Sequence, residues 1–233
     1  MPLPKIDLPI YQCELPSTGK TIKFRPFSVK EEKILLTAQE SEDPKQIVLA
    51  IKQILSNCLI DVDINKLAVF DFEYLLIVLR SKSVDNLVEF EIKDPETEEQ
   101  VKLEIDISKV KVEKDPNHTN KIDLTPYSLF LKYPNIDEID VLFKKDSDNN
   151  PDANYDILIS SLDKLVLDDE IYLFKDFSKK EIDDFVESLG SNIIVKIRTF
   201  FETMPKIRHE VPYVNSKGEN KTFIIQGTQS FFI

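Results

Sequence analysis

The chain is predicted to be an α+β protein: a helical core with an N-terminal β-hairpin, a projecting middle β-hairpin subdomain and a C-terminal β-hairpin. Three observations predict this. Apolar and polar residues alternate in three stretches, near 10–27, 84–112 and 207–226, each interrupted by turn-forming residues. Two intervening regions, about Ser28–Ser83 and Asp156–Thr203, place apolar residues at helical spacing behind capping residues. The 233 residues, 42% hydrophobic and 31% charged, suffice for a sizeable core. The expected division is an extended arm over 1–9, a hairpin and helices over 10–83 and an inserted hairpin subdomain over 84–124. C-terminal helices and a closing hairpin over 125–233 should share one core with 10–83.

The arm holds three prolines and few periodic positions. Tyr11, Cys13 and Leu15 then alternate on one face, Ile22 and Phe24 on another run, with Pro16-Ser17-Thr18-Gly19-Lys20 turning between them. Gly19 is free to take positive φ there. Ser28-Val29-Lys30-Glu31 fits a capping box that opens a helix. Asp43-Pro44 starts a second, with Ile47, Ile51, Ile54, Leu55 and Cys58 on one face. Both cysteines read as buried hydrophobes. Asp71 is expected to cap a third helix, Phe72–Ser81, greasy on most sides and so central.

The middle hairpin runs through Val88, Phe90 and Ile92, turns at Asp94-Pro95-Glu96-Thr97, and returns through Val101, Leu103 and Ile105. Val110 and Val112 suggest a third strand. His118 lies in a polar break and reads as a solvated loop residue. Tyr127–Leu131 is strand-like, Ile136–Lys145 reads as helix, Lys145–Tyr155 as polar loop, and Ile157–Val166 as helix. Ser178 caps a helix over Lys179–Leu189, Gly190 ends it, and Asn192–Thr203 forms another. The closing hairpin alternates His209, Val211 and Tyr213, turns at Asn215-Ser216-Lys217-Gly218, and returns through Phe223 and Ile225. It is expected to pair with the first hairpin in one small sheet.

Composition excludes several functions. Asp and Glu number 42 against 30 Lys and Arg, a net charge of −12, which opposes nucleic-acid binding and docking on anionic lipid. Two cysteines are too few for a disulfide scaffold and match no metal motif, so a reducing compartment is expected. No stretch is apolar enough for a signal peptide or membrane span, which makes a cytoplasmic protein the default. Gly19-Lys20-Thr21 fails as a phosphate loop: Glu14 stands where glycine is needed, and a strand follows instead of a helix. Asp146, Asp148 and Asn150 imitate a calcium loop, but Pro151 and Ile157 occupy its glycine and glutamate positions. The run Asp168-Asp169-Glu170 reads as a solvated junction. No catalytic, metal or cofactor residue is assigned.

Arg25-Pro26-Phe27-Ser28-Val29-Lys30-Glu31-Glu32-Lys33, behind Leu15-Pro16-Ser17-Thr18-Gly19-Lys20, resembles the opening of the baseplate hub subunits and hub assembly proteins of T-even-type contractile-tailed bacteriophages. The likeness continues in order. It includes Asp71-Phe72-Glu73-Tyr74, Leu79-Arg80-Ser81-Lys82-Ser83-Val84, Leu131-Lys132-Tyr133-Pro134, Met204-Pro205-Lys206, and the end through Gly227 to Phe231-Phe232. The resemblance implies a non-enzymatic structural component of the tail baseplate hub, acting through contacts with other hub or tail proteins. Its place would be the virion baseplate and, during assembly, the host cytoplasm. Alternatives are a transient hub assembly chaperone absent from the mature virion and, more distantly, an acidic-residue hydrolase. Relatives with cysteine pairs at the middle hairpin tip would bind zinc there; Asp94–Gln100 has none. Arg25, Phe27 and Lys30 are candidates for partner contact or for packing of the elbow, with packing favoured. Phe231 and Phe232, followed by Ile233, either tuck into the core or insert into a neighbour. The resemblance leaves oligomeric state open.

Overall fold

A computed structural model describes residues 3, 6–41, 43–138, 151–168 and 170–226. It is a mixed α+β structure of helices and small antiparallel sheets, with hairpins at the N-terminus, middle and C-terminus. Contacts divide the chain into two compact units, one comprising 1–66, 70–113 and 206–233, the other 67–69 and 114–205.

In the first unit, β1 (Tyr11–Glu14) and β2 (Thr21–Phe24) pair with Tyr11 opposite Phe24, and Gly19 takes φ 70° in their turn. The expected partnership between first and closing hairpins is not formed. The edge of β2 is occupied instead by β3 (Leu59–Ile60), which emerges directly from α2 (Pro44–Cys58), with Phe24 opposite Leu59. The first helix, α1 (Val29–Glu40), starts at the Ser28 cap as expected, and the Asp43 carboxylate accepts from the Lys45 N–H at the start of α2.

Helix α3 (Val69–Ser83) is central: Phe70, Phe72, Leu75, Leu76, Ile77 and Leu79 are all buried. It begins two residues before the expected cap. Asp71 therefore lies in its first turn, 1% exposed, and accepts from the backbone N–H of Ser17 at 2.9 Å and from the Ser17 hydroxyl. The N-terminal turn is thus tied to the central helix by a buried carboxylate, which requires such partners.

The middle hairpin is β4 (Leu87–Lys93) with β5 (Gln100–Asp106). The next strand, β6 (Lys111–Glu113), does not extend it. It joins the closing hairpin in the order β12-β11-β6, where β11 is Lys206–Val214 and β12 is Asn220–Gln226. Both hairpins nevertheless share one buried cluster: Val88, Leu103 and Ile105 pack with Ile207, Val211 and Ile225, and Ile77 of α3 joins them. At the tip of the middle hairpin, Asp94 accepts from the backbone N–H groups of Glu96 and Thr97 and from the Thr97 hydroxyl. Its second oxygen takes a 2.7 Å bond from the Tyr213 hydroxyl of the closing hairpin.

The second unit holds a four-stranded sheet in the order β10-β9-β8-β7: β7 is Lys121–Asp123, β8 Ser128–Leu131, β9 Leu162–Leu167 and β10 Glu170–Leu173. The expected helix over Ile157–Val166 is split. Helix α4 (Pro151–Ser161) ends at Ser161, and Leu162–Leu167 is a strand between β8 and β10. Pairing on both sides outweighs the mixed local pattern. The polar loop expected through Tyr155 ends earlier, since Pro151 already opens α4. Of the helix expected over Ile136–Lys145, residues 136–138 are helical and the remainder lies outside the described residues. Helices α5 (Lys179–Glu187) and α6 (Ser191–Thr203) complete the unit, α5 with a Ser178–Glu181 capping box.

His118 corrects its expected solvated role. It is half-buried, stacked on Tyr133 at 5.6 Å and packed 5.2 Å from Phe200. Its Nδ1 meets the Thr203 hydroxyl and its Nε2 the Tyr133 hydroxyl, each at 2.9 Å. The Thr203 hydroxyl already donates to the Thr199 carbonyl at 2.7 Å, so it accepts from Nδ1–H, and Nε2 accepts from Tyr133. The neutral ring satisfies both contacts, and burial accordingly holds the His118 pKa below its ordinary value, against a smaller opposing pull from Asp115.

Candidate docking surfaces

Two surfaces concern function, one in each unit. The first is the elbow after β2. Arg25 donates its N–H to the Cys58 carbonyl at 3.0 Å, while its guanidinium reaches the Pro26 carbonyl and pairs with Glu31 at 3.0 Å. Glu31 is 3% exposed and also accepts from the Ser28 N–H at 2.9 Å and from the Ser28 hydroxyl. Burial pushes the Glu31 carboxyl up. Bonds from Arg25 and Ser28 outweigh that push and hold it at about 2. Phe27 is half-buried, and its N–H donates to the Ser83 hydroxyl at 2.9 Å, locking the elbow to the end of α3. Lys30 is exposed on the first turn of α1.

Arg25 and Phe27 are thus engaged in building the elbow, and Lys30 faces outward beside them. Phe231 and Phe232 lie outside the described residues. Cys58, fully buried, and Cys13, half-buried, both have thiols that burial raises to about 11, so neither is an activated nucleophile.

The second surface is a groove of ≈ 780 Å³ in the second unit, which sequence reasoning missed. Leu129, Leu165 and Tyr172 stand opposite one another across β8, β9 and β10, so they share a sheet face. Leu165 and Tyr172 line the groove, with Tyr127 nearby, and Ile182 and Phe185 of α5 form the facing wall. Tyr127, Tyr172 and Phe177 remain 37%, 37% and 40% exposed at its mouth. A cluster of partly exposed aromatic rings around a concave apolar surface is the usual composition of a binding site. The local signal was the spacing of Tyr172, Phe174 and Phe177 between charged residues. It could not be separated from core packing without knowing that α5 leaves a gap.

The carboxylates at the groove are few and already occupied. Glu181 is the single carboxylate among the described lining residues, and it accepts from the Ser178 N–H at 2.8 Å and the Ser178 hydroxyl at 2.6 Å. Glu170 accepts a hydrogen bond from the Tyr172 hydroxyl at the rim. Acid–base hydrolysis requires two carboxylates held across one cavity with separated pKa values, and the groove lining does not supply that pair. Among the described residues, no group of three or more His, Cys, Asp and Glu side chains is placed to hold a metal ion. No described helix is long and apolar enough to cross a membrane.

Small sheets with open edges, a rigid elbow and an aromatic groove define a protein suited to docking against other proteins. Comparison with known families specifies which: the model described as T4 bacteriophage base plate protein matches residues 8–233, and the chain belongs to that family. This is a family of the phage tail baseplate, and membership implies tail-protein partners and a place in the tail baseplate. No curated protein and no solved structure matches the chain.

Proposed function

We propose that this chain is a non-enzymatic component of the baseplate hub, assembled in the host cytoplasm and acting through protein–protein contacts. The observation that carries this reading is the family match over residues 8–233, to which the open groove of the second unit adds a physical means of docking. The hub assignment follows the ordered likeness of Arg25–Lys33, Asp71–Tyr74 and Leu131–Pro134 to hub proteins. Lys30 and the aromatic pair Phe231-Phe232 are the proposed contact residues. Arg25 and Phe27 act through the elbow they stabilise.

Quantitative mass spectrometry of purified phage particles and of isolated hub intermediates tests the reading. A fixed stoichiometry in both is expected for a structural subunit. Presence in hub intermediates and loss from finished particles makes the chain a transient assembly factor. Absence from both overturns a hub role.

A further inference from the structure

We infer that the groove and the free edge of β10 form one site that binds an extended segment of a partner protein carrying a basic residue two positions from an aromatic residue. The inference rests on the reading of this chain as a protein that works by contact. It goes further by naming the chemistry of the occupant.

The argument begins with the edge. Among the described residues, β10 is the last strand in the order β10-β9-β8-β7, hydrogen-bonded to β9 on one side only. Exposed edges are ordinarily guarded by lysine, proline or a covering element. The opposite edge, β7, carries Lys121. β10 reads Glu-Ile-Tyr-Leu: it is short and carries one acidic guard, Glu170, which admits a basic incoming strand, and Ile171 is 60% exposed. Such a strand can accept another by main-chain bonding, with alternate side chains entering pockets on one face.

The face that meets the groove determines the alternation. Glu170 and Tyr172 are two apart and share it, joined by the bond from the Tyr172 hydroxyl to Glu170. That bond uses one acceptor position of a carboxylate that has several. An added strand would therefore set one side chain beside Glu170 and the next same-face side chain beside Tyr172. The first position favours Lys or Arg, since opposite charges pair across neighbouring strands. The second favours an aromatic ring, which can enter between Tyr172 and Phe177. The surroundings reinforce the sign: residues 168–187, which supply β10 and α5, contain eight Asp and Glu against three Lys.

A fluorescein-labelled peptide, Thr-Lys-Thr-Phe-Thr-Lys-Thr, tests the site against the full chain by fluorescence anisotropy. Three controls accompany it: Glu replacing each Lys, Ser replacing Phe, and Pro replacing a central Thr to remove a ladder N–H. The Lys–Phe peptide is expected to bind at least about tenfold more tightly than each control. Glu170→Lys should invert the preference between Lys and Glu peptides while leaving the far-UV spectrum unchanged. Tyr172→Ser with Phe177→Ser should abolish binding.

Equal binding of Lys and Glu peptides overturns the inference, as does no binding at all or an unaltered preference in Glu170→Lys. Sedimentation showing self-association abolished by Tyr172→Ser would make a second copy the occupant and overturn it too. Peptide binding gained only after removal of 227–233 would assign the groove to the chain's own end, with the same consequence. Failure here leaves particle composition unaffected, whereas absence from hub and particle with peptide binding intact overturns the hub reading alone.

Discussion

The two units solve the same problem, joining distant parts of the chain, with different chemistry. In the first, carboxylates make the ties: Asp71 holds the Ser17 turn, Asp94 holds Tyr213 of another hairpin, and Glu31 gathers Arg25 and Ser28. In the second, a cluster of rings does so, with His118, Tyr133 and Phe200 in mutual contact and a hydroxyl on each His118 ring nitrogen. A carboxylate tie is directional and depends on ionisation. A ring cluster is mainly a matter of volume. The difference teaches that the units should fail under different insults.

The largest expected effect is on the ring cluster. Phe200 is 2% exposed and touches Tyr133, His118 and Phe201. Phe200→Ala removes a buried ring that its neighbours cannot replace and should cost about 3–5 kcal/mol. Urea unfolding monitored by tyrosine fluorescence, with hydrogen exchange to localise the loss, checks this. Protection should fall in 114–205 first; uniform loss over both units would erase the contrast.

A smaller effect is expected from a single carboxylate tie. Glu31→Ala removes the capping box of α1 and leaves Arg25 without its acidic partner, at a cost of about 1–2 kcal/mol. The loss should appear as reduced protection in α1 and the elbow. If Lys30→Ala lowers stability equally, the placement of Lys30 outside the elbow is wrong.

The smallest and most graded effect is on pH dependence, where the two chemistries separate. Glu31 and Asp94 are both held at about 2, against ordinary values of 4.5 and 3.8. For Asp94 the Tyr213 hydroxyl is the main cause, with the turn N–H groups adding to it. Depressed carboxyls stabilise fully above their ordinary values and lose that contribution as pH falls toward about 2. His118, held below 6.5 by burial, stabilises fully above 6.5 and loses its contribution as pH falls below it. Stability measured by urea midpoint should therefore decline in two stages on acidification. His118→Gln should remove the upper stage, and Asp94→Asn should reduce the lower. A single decline unaffected by His118→Gln would refute the assignment of the upper stage to the ring cluster.

What was legible in the sequence was local. The capping box at Ser28–Glu31, the Ser178 and Asp43 caps, the Gly19 turn and all three hairpins depend on residues within a few positions of one another. What was not legible depends on distant pairing. Leu162–Leu167 became a strand because β8 and β10 flank it, whatever its own periodicity. β3 displaced the closing hairpin from β2 because α2 ends where Leu59 can reach Phe24. Thr203 is 85 residues from His118, and Tyr213 is 119 from Asp94, so neither partnership leaves a mark in a local window. Of the candidate site residues, Arg25 pairs with Glu31 and the Phe27 N–H bonds Ser83, partners six and 56 residues away. The groove stayed hidden because exposed and buried aromatics look alike in a sequence.

The pairing of β6 with β11 has one further consequence. Glu113, where the chain leaves the first unit, stands directly opposite Lys206, where it returns. A chain that departs and comes back through adjoining strands has fixed the two ends of its detour. The length of the detour then bears on closure only weakly, through a logarithm. Changes of loop length within 114–205 therefore leave the Glu113–Lys206 register untouched, provided the Pro134 carbonyl still accepts from the Val69 N–H at the start of α3. Related chains can be expected to vary most in length there, and a common sheet can carry differently tailored attachments.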